Sequence, residues 1–197
     1  MTDELRQLLE EAMMQSCAHF LREHVSEHVY SVALFTSGDY RYVVASFSTQ
    51  EGLGVVTQRY REYPEYRDET TESMMADLRW SPCDSPYQGV YDDHFARANK
   101  VIDELWNSTD EESDRDYINT CKHIHESCIT VLNQVRTTGI FDKHDPVFNL
   151  LMGDQSEAAL FVNAEAVNTP IRFAAFRKVL EVDPDELADF KATQWEW

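Results

Sequence analysis

Three observations predict an α+β fold: an amphipathic helical stripe at the start of the chain, two β-rich runs separated by a short glycine-containing turn, and helical patterning through most of the remainder. The expected architecture is a small, mainly antiparallel sheet packed against several helices. Its parts would be a hairpin over about 29–47 and strands near 76–80 and 146–152. Residues 1–197 are expected to form a single α+β domain, because that length suits one core.

Each element has a local reason. Thr2 can cap a helix whose first turn carries Asp3 and Glu4, where the helix dipole favours acids. Leu5, Leu8, Leu9, Ala12, Met13, Cys17, Phe20 and Leu21 then recur at helical spacing to about Glu27. Val29 to Thr36 and Tyr40 to Phe47 are rich in Val, Tyr and Phe, and Ser37-Gly38-Asp39 between them signals a turn. So short a connection predicts an antiparallel hairpin. Ser48-Thr49-Gln50-Glu51 reads as a capping box opening a helix over Leu53, Val56 and Tyr60, with Pro64 ending it.

Met74 to Trp80 suits either helix or strand and is assigned a strand near 76–80, before the irregular Ser81 to Pro86. Helices are expected around Tyr91–Trp106 and Glu111–Val135, broken by the capping residues Asn107 to Asp110. Pro146 to Met152 predicts a buried strand, Gly153 to Ser156 a turn, and Glu157 to Val167 a short helix. Asp183-Pro184-Asp185-Glu186 opens a last helix, with proline at its first position.

Composition narrows function more than it identifies it. Hydrophobic residues make up 43% of the chain, enough for a packed core. No apolar run approaches the roughly 20 residues of a membrane span. The acidic start lacks a secretory leader's character, so a cytoplasmic protein with reduced thiols at Cys17, Cys83, Cys121 and Cys128 is expected. Thirty-six acids against seventeen bases give a net charge of −19. That balance argues against nucleic acid and anionic membranes, which require a cationic face. Residues 61–120 hold 16 acids and 6 bases, so the middle third is the most acidic.

No catalytic motif is present. There is no nucleophile elbow, phosphate loop or dinucleotide fingerprint, and the expectation is no catalytic residue and no cofactor. Cys121, His125 and Cys128 share one helical face, which could offer zinc two sulfurs and an imidazole. The same helix carries Ile118, Ile124, Val131, Leu132 and Val135, so core packing is the expectation and no metal. Arg79, Trp80 and Asp84 lie within six residues of one another, beside Pro82 and Pro86. They form either a stiff aromatic-and-charge surface or a structural corner in which Trp80 plugs the core and Arg79 pairs with an acid.

Three pieces of sequence resemble the family DUF4303: Gly38 to Tyr40, Ala45 to Gly52 and Leu78 to Asp84. The family pattern places an aromatic after the aspartate, where this chain has Ser85 and Pro86. The resemblance supplies no established catalytic residue to carry over, and it points toward bacterial toxin-immunity families. Arg79, Trp80 and Asp84 are the family-like positions.

The functional expectation is a non-enzymatic, acidic protein-interaction module, such as an immunity protein neutralising a basic toxin. Asp103, Glu104, Asp110, Glu111, Glu112, Asp114 and Asp116 are its expected contact residues. A small enzyme with a Cys/His or acidic site, and a structural or regulatory subunit that homo-oligomerises, stand as the alternatives.

Overall fold

A computed structural model describes residues 2–195 apart from 82, 154 and 181, and the side chain of residue 2 is not included. The predicted turn at 153–156 and the segment 78–84 therefore each contain one position outside the described residues, as does the capping side chain at position 2. Eight α-helices and four strands occur among the described residues. In chain order these are α1 (Thr2–Glu23), β1 (Val29–Thr36), β2 (Val43–Thr49), α2 (Gln50–Tyr60), α3 (Thr71–Leu78), β3 (Tyr87–Gln88), α4 (Ala96–Asn107) and α5 (Asp114–Thr137). The chain then continues through β4 (Val147–Met152), α6 (Glu157–Val167), α7 (Pro170–Phe176) and α8 (Pro184–Thr193).

The α+β class stands, but the sheet is mixed rather than mainly antiparallel. Its order is β3-β2-β1-β4. β1 pairs antiparallel with β2 as expected, but the connection spans residues 37–42 and β2 begins at Val43 rather than Tyr40, whose backbone is left-handed with φ of 58°; β4 lies parallel to β1. A parallel neighbour needs a crossover, which the long helical excursion between β2 and β4 supplies. The expected strand near 76–80 is also corrected. Thr70 caps a helix there by accepting a hydrogen bond from the Ser73 N–H at 3.1 Å, and the good helix formers Met74, Met75, Ala76 and Leu78 continue it. The third strand is instead the two-residue β3, which pairs Tyr87 with Phe47 and Gln88 with Ser46.

Both faces of the sheet are covered, which is why all eight residues of β1 are buried. Val32, Leu34, Val43, Ala45, Phe47, Phe148 and Leu150 face a core built with α1, α4 and α5. The alternate residues Ala33, Phe35, Val147 and Leu151 face a smaller core with α6 and Phe176 of α7. Trp80, Phe173 and Leu187 pack against that second core. The predicted stripe of α1 is present: Leu5, Leu9, Ala12, Met13, Cys17 and Phe20 are all buried in the larger core.

Side-chain amides occupy open backbone groups of the edge strand β4 and of β2 at Val43, beyond the reach of the two-residue β3. Asn168 accepts from the Phe148 N–H at 2.9 Å and donates to the Phe148 carbonyl at 2.7 Å. Asn163 donates to the Leu150 carbonyl, and Gln155 accepts from the Met152 N–H, each at 3.0 Å. Phe148, Leu150 and Met152 are alternate residues, so these groups line the same side of β4. On the far side of the sheet, Asn99 of α4 accepts from the Val43 N–H at 2.8 Å and donates to its carbonyl at 3.0 Å.

Two glycines of α2 behave oppositely. Thr49 caps this helix by accepting from the Gly52 N–H at 2.9 Å. A Cβ on Gly52 would stand 3.0 Å from both Pro86 and the Thr49 hydroxyl, and 3.1 Å from the Tyr87 ring. Gly54 is exposed with nothing within 4 Å of such a Cβ. Gly54→Ala is expected to stabilise the fold by about 0.5–1 kcal/mol through helix propensity. Gly52→Ala is expected to lose about 1–3 kcal/mol to overpacking despite the same propensity gain. Paired urea melts check the opposite signs.

Candidate functional site

A cleft opens at the end of the sheet where β1 and β4 begin and β2 gives way to α2. Its volume is about 430 Å³. Tyr30 of β1 and Gln50 at the start of α2 line it from the sheet. Arg79 and Trp80, just after α3, form one wall, and Arg172 and Phe176 of α7 form the other. His28 and His144, which precede β1 and β4, complete the rim with ring centroids 6.0 Å apart.

The aromatic residues hold one another edge-on. Trp80 meets Phe176 at 4.8 Å and Tyr30 at 5.7 Å between centroids. The Arg79 guanidinium lies over the Tyr30 ring at 4.3 Å and donates to the Gln50 side-chain oxygen at 3.2 Å. The Tyr30 hydroxyl in turn donates to the Arg79 carbonyl at 3.0 Å. Arg79 has no carboxylate partner among the described residues, so the corner is held by cation–π contacts and hydrogen bonds to uncharged groups rather than by an acid. Across the cleft, Arg172 is gripped by Asp145 through two guanidinium nitrogens, with Nε to Oδ1 at 3.0 Å. Asp145 adopts a left-handed backbone with φ of 50°. The Val29 N–H donates to His144 Nδ1 at 3.4 Å, which leaves the proton of the neutral ring on Nε2. Burial, then the positive neighbours His28 and Lys143, hold His144 below its ordinary pKa.

Of the family-like residues, the fold therefore brings Arg79 and Trp80 together at the cleft. Asp84 turns away, accepting hydrogen bonds from the Tyr60 and Ser81 hydroxyls. Sequence reading missed His28, His144, Asp145 and Arg172. These side chains lie far from Arg79 in the chain, and no local spacing links them.

The acidic residues form a second assembly. Asp103, Glu104, Asp110, Glu111, Glu112, Asp114 and Asp116 are all exposed along α4, the following turn and the first turn of α5. Glu111 is committed internally. Arg41 donates to its two oxygens at 3.2 and 2.8 Å and to Asp39 at 2.8 Å, while its guanidinium lies 4.0 Å over the Trp106 ring. Glu104 pairs loosely with Lys100 at 3.8 Å. Asp114 and Asp116 sit at the start of α5, behind the capping Ser113, where the dipole favours them.

The helical face of Cys121, His125 and Cys128 points inward. Both cysteines are buried in the larger core, and burial pushes the Cys121 thiol up to about 11 and that of Cys128 up to about 12. The Tyr40 hydroxyl is hydrogen-bonded to His125 Nδ1 at 2.9 Å. Among the described residues no group of three or more His, Cys, Asp or Glu side chains is placed to hold a metal ion. Nor is any described helix long and apolar enough to cross a membrane.

Fold and surface together define an acidic α+β protein with a cleft that carries arginine, histidine and tryptophan. The chain belongs to the family described as a domain of unknown function, DUF4303, whose profile matches residues 9–169. No curated protein and no solved structure matches it.

Proposed function

We propose that this chain is a non-enzymatic protein-interaction module that engages a basic partner through the acidic face of α4 and α5. The supporting observation is preorganisation. Arg41 ties the β1–β2 turn to Glu111 and stacks on Trp106, so the segment bearing Asp110, Glu112, Asp114 and Asp116 is held in place before any partner arrives. A fixed array of like charges accelerates encounter with a cationic surface and repels anionic competitors. A toxin-immunity role in a bacterial cytoplasm is the sharpest form of this proposal, since toxins acting on nucleic acid present cationic clefts.

The test is co-expression with the proteins encoded beside its gene, using the wild-type chain and an Asp110→Asn/Glu112→Gln/Asp114→Asn/Asp116→Asn variant. The wild type is expected to form a salt-sensitive complex, and the variant to associate at least about tenfold more slowly at low salt. Absence of a complex, or equal association by the variant, refutes the proposal.

A second reading, a small enzyme or ligand-binding protein, is favoured by the cleft that joins Trp80 to His28 and His144. Of the four cysteines, Cys17, Cys121 and Cys128 are buried with raised thiol pKa values, which disfavours them as nucleophiles, while Cys83 is exposed.

A further inference from the structure

We propose that the cleft between Arg79 and Arg172 binds a small oxyanion, phosphate or carboxylate, carried on a planar apolar body. Its volume of about 430 Å³ falls within the range of small-molecule sites. Its two cationic walls differ in a way that assigns their roles. Arg172 is neutralised by Asp145 through two nitrogens. The Arg79 guanidinium makes a single side-chain hydrogen bond among the described residues, to the neutral Gln50 side chain, and a guanidinium carries five N–H donors in a fork that matches an oxyanion. Arg79 is thus the uncompensated charge of the cleft and the primary anchor.

The packing fixes that anchor in advance. The guanidinium is pinned over Tyr30 at 4.3 Å, and its own carbonyl is held by the Tyr30 hydroxyl, so binding costs little side-chain ordering. His144, with Nδ1 occupied by the Val29 N–H, retains Nε2–H as a donor in its neutral form. Trp80, Phe176 and Val179 supply the apolar surface for the rest of the ligand. The overall charge of −19 does not forbid this. Charges farther away than about 8 Å are largely screened at physiological salt, whereas the guanidinium acts at contact distance beside low-dielectric aromatic walls.

The experiment is calorimetric titration of the full chain with phenyl phosphate, benzoate and inorganic phosphate. At least one aromatic probe is expected to saturate, and to bind about tenfold or more tightly than inorganic phosphate because it also covers the apolar wall. The stronger of the two aromatic arms identifies the head group. Arg79→Gln is expected to weaken that probe by about tenfold or more, with Arg79→Lys recovering part of the loss by restoring charge without the fork. Asp145→Asn is expected to act in the opposite direction, tightening binding about threefold to tenfold by freeing Arg172. Asparagine tolerates the left-handed backbone at this position, so that variant keeps the fold. A merely structural role for the cleft would not let one substitution strengthen binding. No saturable heat for any probe up to about 10 mM, unchanged affinity in Arg79→Gln, or no tightening in Asp145→Asn would overturn the proposal.

Discussion

Acidification from pH 7 to pH 4 is expected to remove about 3 kcal/mol of stability through His125 alone. Its imidazole, carried on α5, is largely buried, with the Tyr40 ring edge-on at 5.9 Å, the Trp195 ring edge-on at 5.3 Å and its Nδ1 engaged by the Tyr40 hydroxyl. Burial disfavours the charged form and lowers its pKa from 6.5 to about 4. The unfolded chain therefore takes up the proton first. The stability this neutral ring permits is complete above about pH 6.5, declines as pH falls toward 4, and levels off below that.

His123 and His144 are also held down by burial and contribute in the same direction. A His125→Gln variant isolates the main component, because it keeps a polar group for Tyr40 while removing the titration. Denaturant midpoints measured at pH 7, 5.5 and 4 should show the wild type losing about 3 kcal/mol more than the variant over that range. Parallel losses in the two proteins would contradict this account.

Phe20→Ala is expected to cost about 3–5 kcal/mol, the range for deleting a fully buried aromatic ring. Phe20 has no exposed surface, and three rings surround it. It stacks on Phe47 of β2 and on His24, each at 4.3 Å, and meets Tyr87 of β3 edge-on at 5.1 Å. One side chain thus fastens the end of α1 to two strands, and its removal leaves a cavity none of the three can fill without abandoning other partners. Phe20→Leu retains most of the volume and should cost only about 1–1.5 kcal/mol. Urea melts with an unchanged m-value would attribute both losses to the folded state.

The elements that sequence revealed were those whose causes are local. The α1 stripe repeats from Leu5 to Phe20, Ser37–Asp39 opens the connection that turns β1 back into β2, and Asp183-Pro184 caps α8 with the Asp183 carboxylate accepting from the Asp185 and Glu186 N–H groups. α7 was missed although Thr169-Pro170 carries the same kind of start signal. Thr169 does accept from the Arg172 N–H, but only seven residues follow before the helix ends, too few to show a period. The direction of β4 and the sheet order depend on pairing across more than a hundred residues, and no pattern within one segment encodes that. The cleft was illegible for the same reason. Arg79 and Trp80 stood out as a local cluster, but His28, His144 and Arg172 become their neighbours only once β1 and β4 lie side by side.

The amides of Asn99, Asn163, Asn168 and Gln155 have a consequence for recognition. An exposed strand is ordinarily a template on which another polypeptide can zip up main chain to main chain, whether in useful peptide capture or in ruinous fibril growth. Here the template is already occupied at Val43 on one side and at Phe148, Leu150 and Met152 on the other. An extended segment docking along β4 would have to displace Asn163, Asn168 and Gln155, and one docking beside Val43 would have to displace Asn99.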